Sequence, residues 1–121
     1  MKKIYYNKLI RDKIPEKMSK SGAAFKIKRL TTKQYEKELF KKVFEESDGL
    51  VAAKTRDELT GEIADVLEVL EEIRKFKKIK SSCIRDARIK NMQRKGGFQK
   101  RLFLYWAEDT GYRSNERRYK K

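Results

Sequence analysis

ELTGEIADVLEVLEEI (58–73) decides how the chain is read. Leu59, Ile63, Val66, Leu67, Leu70 and Ile73 recur at three- and four-residue steps, the period of a helix with one apolar face. Thr55 stands three residues before Glu58, the spacing of a capping box. The spacing therefore predicts a helix from Thr55 to about Ile79. The stretch before it, LFKKVFEESDGL (39–50), belongs to a second helix of the same kind. Thr31 or Thr32 caps it, and Tyr35, Leu39, Val43 and Leu50, with Phe40 and Phe44, form its apolar stripe to about residue 53. Gly49 is a weak spot inside it. So short a connection between two long helices predicts an antiparallel hairpin and a mainly α fold.

Working outward, residues 2–14 mix charge with Ile4, Tyr5, Tyr6, Leu9, Ile10 and Ile14. Pro15 suits the first turn of a short helix that Gly22 ends. AFKIKRL (24–30) alternates apolar and basic residues, as a half-buried strand does. Ser81 or Ser82 caps an additional helix that Gly96-Gly97 closes. FQKRLFLYW (98–106) reads as a second strand, and pairing with 24–30 would make a small two-stranded β element beside the helices. No linker, repeat or low-complexity segment appears. The reading is one domain over 1–107 and a basic polar tail over 108–121.

The 121 residues suit one domain, which can bury roughly 65–70 % of its unfolded surface. Lys and Arg number 33 against 18 Asp and Glu, a net charge of +15, so polyanions such as nucleotides or nucleic acid are favoured partners. Arg113, Arg117, Arg118, Lys120 and Lys121 concentrate that charge in the tail. The single Cys83 excludes an intrachain disulfide and reads as a packed thiol at a helix start. With no histidine, Cys/His zinc sites and imidazole catalysis are excluded. Any metal site must use oxygen ligands, which favours magnesium, manganese or calcium. No segment has signal-peptide character or approaches the ~20 apolar residues of a membrane span. A cytoplasmic protein without a membrane partner is the expectation.

Four carboxylates stand out in this basic chain. At ~100° per residue, Glu62 and Asp65 share one side of their helix, bordering its apolar face. In an antiparallel hairpin Glu45 and Glu46 come close to them. Carboxylates converging without counter-charge repel, and a divalent cation relieves the repulsion. Against this, glutamate is a common helix former and pairs with lysine or arginine on neighbouring turns. Glu68, Glu71 and Glu72 point elsewhere and read as surface charges. Two basic clusters accompany the carboxylates. NKLIRDKIP (7–15) offers Asn7, Lys8, Arg11 and Lys13, with the Arg11 fork suited to phosphate. KNMQRKGGF (90–98) puts Lys90 and Arg94 on one helix face.

These pieces occur in an order. NKLIRDKIP, a helix with a Glu45-Glu46 pair, Glu62-x-x-Asp65 followed by VLEVLE, and then KNMQRKGGFQKRLFL resemble the MazG-like all-α nucleoside triphosphate pyrophosphohydrolases. The nearest branch is the small phosphoribosyl-ATP pyrophosphohydrolase-like, house-cleaning group. The resemblance covers about residues 3–107. It implies hydrolysis of a nucleoside triphosphate to monophosphate and pyrophosphate, with magnesium, or manganese in its place. It further implies Glu46, Glu62 and Asp65 as metal ligands and Glu45 as a further ligand or the group that orients the water. Lys90 and Arg94 would face the phosphates, and Asn7, Lys8, Arg11 and Lys13 would help close the site. A dimer or tetramer is implied as well.

One position departs from the pattern. Where the family's EExxE places its last glutamate, this chain has Gly49, and Asp48 is one residue early. Asp48 substitutes as a ligand only if Gly49 distorts the turn. Restoring a carboxylate by Gly49→Glu is then expected to raise magnesium-dependent turnover. Gly49 and the high positive charge also motivate an alternative: a degenerate member that binds nucleotide or nucleic acid through its basic surface without hydrolysis.

Overall fold

Four helices form among the described residues, 2–109, of the computed structural model, and none of these residues is in a strand. Pro15 sets the first turn of α1 (Ile14–Lys20), and Gly22 closes it with φ +81°, as its position in the sequence predicts. α2 (Thr32–Ala52) begins at a full capping box: Thr31 accepts from the Gln34 N–H, and the Gln34 side chain accepts from the Thr31 N–H. α3 (Arg56–Phe76) begins at Thr55, whose hydroxyl accepts from the Glu58 N–H at 3.1 Å, while Glu58 reaches one residue further back, to the Lys54 N–H. α3 ends earlier than the periodicity suggests. Lys78 adopts φ +57°, and the N–H groups of Lys78 and Ile79 turn back onto the carbonyls of Lys75 and Arg74. These bonds satisfy the last carbonyls of the helix and stop it. α4 (Ser81–Lys95) stops at Gly96, φ +77°.

The chain divides into two compact units, one up to Arg85 and one from Asp86 on. The first is built on α2 and α3, joined by a three-residue connection, residues 53–55. Tyr35 meets Phe76 edge-on at 5.4 Å between ring centroids, and Lys77 pairs with Glu36. At the other end of the pair, Glu46 faces Glu62 and Asp65. The start of α2 thus lies against the end of α3, which is the antiparallel hairpin.

Two expectations need correction. First, the two-stranded β element does not form: 24–30 and 98–106 carry no ladder. An isolated pair of strands is marginal in water, and neither segment gains burial that would offset ordering it. Phe25 and Ile27 are exposed, and Arg101, at φ +57°, turns back onto the Phe98 carbonyl and breaks the second run. Second, the apolar stripes are only partly covered. Among the described residues Leu39 alone is buried. Val66, Val69, Ile73 and Phe76 are partly covered, whereas Leu59, Ile63, Leu67 and Leu70 on α3, and Phe40 and Phe44 on α2, are exposed. A single neighbouring helix covers one narrow strip of a helix, and these stripes are wider than that. Cys83 is likewise exposed rather than packed.

Candidate metal centre

The antiparallel register sets Glu46 of α2 opposite Glu62 and Asp65 of α3. One oxygen from each lies within 4.8 Å of the others, and all three residues are half-buried. Two oxygens bound to one magnesium at ~2.1 Å lie roughly 3 Å apart when adjacent and about 4 Å when opposite. Small rotamer adjustments of long carboxylate side chains close that gap, so the donor set fits a hard divalent cation. Partial burial raises the Glu46 pKa above its ordinary 4.5; Asp65 raises it further, Lys42 opposes, and Glu45 and Glu62 add to the rise. That is the mark of carboxylates crowded together and partly removed from water.

A basic strap lies over the cluster. Residues 2–13 have no regular structure, and Leu9 and Ile10 are half-covered, which holds the strap down. From it Lys8 donates to Glu45 at 2.7 Å and Arg11 to Asp65 at 3.3 Å. The two cations bracket the hairpin, one reaching α2 and one α3. Burial alone would raise the Glu45 pKa, but the bonds from Lys8 and Lys42 outweigh it and hold the group below its usual range. The bond to Glu45 in turn lifts Lys8 above its ordinary value. Lys42 is a participant that the sequence reading passed over. It lies 2.9 Å from Glu45 and 3.9 Å from Glu46, with only 15 % of its side chain exposed. Its three- and four-residue spacing from those glutamates was the available signal.

The remaining candidate residues sit elsewhere. Asp48 is exposed and stands outside the three-carboxylate set. Asn7 and Lys13 are exposed on the strap, with Asn7 in the left-handed region at φ +47°. Lys90 and Arg94 lie one turn apart on α4, exposed, in the unit that begins at Asp86. The tail residues Arg113, Arg117, Arg118, Lys120 and Lys121 lie outside the described residues.

The Glu46 shift has a consequence for stability. Its folded pKa lies above the unfolded value near 4.5, so the folded protein binds the proton more tightly. Stability from this group is therefore present at low pH and falls as pH rises through the folded pKa. In metal-free protein, Glu46→Gln is expected to raise Tm near neutral pH, with the gain vanishing by about pH 4. Thermal melts in chelator across that range check it; a gain independent of pH contradicts it.

No protein-family model, no curated protein and no solved structure matches this chain.

Proposed function

We propose that this chain is a magnesium-dependent nucleoside triphosphate pyrophosphohydrolase of the MazG-like kind that its motifs resemble. Water cleaves the linkage between the α- and β-phosphates and yields a nucleoside monophosphate and pyrophosphate. The observation that carries the reading is the meeting of Glu46, Glu62 and Asp65 from two facing helices beneath a strap that presents Lys8 and Arg11.

In this reading Glu46, Glu62 and Asp65 hold magnesium, with manganese as a substitute. The bound ion supplies positive charge to the phosphoryl oxygens as negative charge develops there. Glu45, kept ionised by Lys8 and Lys42, accepts a hydrogen bond from the attacking water and orients it. With a cation held by those carboxylates, Arg11 would be freed from Asp65 to face the triphosphate, with Asn7 and Lys13 beside it on the strap, while Lys8 would stay on Glu45 and add its charge at the edge of the site. Such chemistry belongs in the cytoplasm, where nucleotide pools need house-cleaning, and no helix among the described residues is long and apolar enough to cross a membrane. The uncovered apolar stripes call for a second copy of the chain, in a dimer or tetramer. Pyrophosphate release from a panel of nucleoside triphosphates, with and without magnesium, is the test. Release that needs magnesium supports the reading; none from any member of the panel rejects it.

A second reading has its own observation. In the unit from Asp86 on, Phe98, Phe103, Tyr105 and Trp106 are 78–98 % exposed, interspersed with Lys100 and Arg101. Exposed aromatic faces among cations suit stacking on single-stranded nucleic acid. A degenerate, non-hydrolysing member would then bind single-stranded RNA or DNA with a steep salt dependence and release no pyrophosphate. Titration of a fluorescent oligonucleotide at increasing salt decides it; affinity that is absent, or flat with salt, removes this reading.

A further inference from the structure

Gly49 lies inside α2, three residues before its end, where a glycine weakens a helix relative to alanine. The backbone does not require it, since Gly49 is not among the residues with positive φ. Space does. A Cβ at position 49 would stand 2.5 Å from Glu62 Oε2, 3.0 Å from its Cδ and 3.3 Å from Oε1. The Glu62 carboxylate therefore rests on bare α2 backbone, in the room a side chain would occupy. The other glycine of the hairpin, Gly61, behaves differently: a Cβ there meets nothing within 4 Å.

We propose that Gly49 is a positioning residue whose missing side chain is the seat that holds the Glu62 carboxylate toward Glu46 and Asp65. The consequence for metal affinity rests on the metal-site reading above; the seat itself does not. Any side chain at 49 displaces the Glu62 carboxylate from this seat, at the cost of the contacts it makes there, while both helices stay formed. Stability and metal affinity are thus set against each other at this one position. The sequence pattern casts Gly49 as a lost ligand. The geometry makes a glutamate there a competitor for the place Glu62 already fills, so Gly49→Glu lowers divalent affinity instead of restoring it.

The test uses Gly49→Ala, with Gly61→Ala as the control, and two measurements: Tm in chelator and Mn2+ affinity by titration. Gly61→Ala is expected to gain a few degrees in Tm from helix propensity with Mn2+ affinity unchanged. Gly49→Ala is expected to bind Mn2+ about 10-fold or more weakly, the scale on which misplaced ligands lose metal. In metal-free protein the Tm gain from Gly49→Ala should be larger in a Glu62→Ala background than in the parent, because no carboxylate then has to be displaced. Additive Tm changes overturn the proposal, as does unchanged or increased Mn2+ affinity in Gly49→Ala or Gly49→Glu. Should the parent bind no Mn2+, the metal-site reading fails and the metal-free comparison alone decides: coupling upholds the seat, additivity removes it.

Discussion

Glu62→Ala is expected to lower magnesium-dependent pyrophosphate release by at least about 100-fold, above the 10–100-fold typical for removing a mere outer partner of a metal ligand. Glu62 is the middle of the three-carboxylate set, and its loss leaves Glu46 and Asp65 facing each other across α2 and α3. Two carboxylates hold a hard, strongly hydrated ion far more weakly than three. The fold should tolerate the change. Glu62 makes no ion pair within 4 Å among the described residues, and removing its charge relieves the repulsion that helps raise the Glu46 pKa. A Tm equal to or above the parent's, together with lost turnover, assigns the effect to the site. Magnesium titration sharpens the result: a ligand loss that only weakens affinity is partly recovered at high magnesium. Equal turnover in parent and variant would remove the pyrophosphohydrolase reading. Combining Glu62→Ala with Asp65→Ala should cost little more than either alone, since residues acting on one ion are not additive.

In solution the chain is expected to run as an assembly of at least two copies, and Leu67→Glu is expected to break it into monomers or unfold it. The physical ground is an incomplete core. Leu67 is 60 % exposed and Phe44 74 %, while Leu39 alone is buried among the described residues. Leu59, Ile63, Leu67 and Leu70 recur along one side of α3, which is the pattern of a second packing seam. At roughly 25 cal/mol per Å2, covering such a seam with its counterpart from another copy supplies stability the isolated hairpin lacks. In a two-fold assembly each substitution appears twice, so a glutamate at 67 would place two charges in an apolar contact, at a cost of several kcal/mol. Sedimentation and thermal melting read the outcome. A monomeric parent, or a Leu67→Glu variant of unchanged mass and Tm, would show that the stripe is an ordinary exposed face.

Much of the helix layout follows from local rules. Thr31 with Gln34, Thr55 with Glu58, Pro15, Gly22 and Gly96 mark helix ends through bonds and dihedrals that involve residues only a few positions apart. Those interactions can be read from neighbours in the chain. The facing of Glu46 with Glu62 and Asp65 was legible for a related reason. A three-residue connection leaves two long helices little choice but to run antiparallel, and the helical period then sets which positions face.

What the sequence could not supply are relations that depend on which surfaces meet. The alternation in 24–30 and 98–106 is real, but a strand exists only with a partner, and neither segment is in a ladder. Leu67 and Val66 are neighbours with the same apolar character, yet one is exposed and the other partly covered. Hydrophobicity marks a residue as fit for burial without saying what covers it. Lys8 lies 37 positions from Glu45 and Arg11 lies 54 from Asp65, so their pairings needed the strap to fold over the hairpin. Gly49 is the sharpest case. In the sequence it is a missing carboxylate; in the structure it is the place where the carboxylate of Glu62 rests. The sequence alone determined the presence of the helices, the N-terminal caps of α2 and α3 and the antiparallel pairing, because each rests on short-range geometry. Only the tertiary structure decided the cation pairs, the uncovered stripes and the meaning of Gly49, because each is a contact between atoms that the chain itself holds far apart.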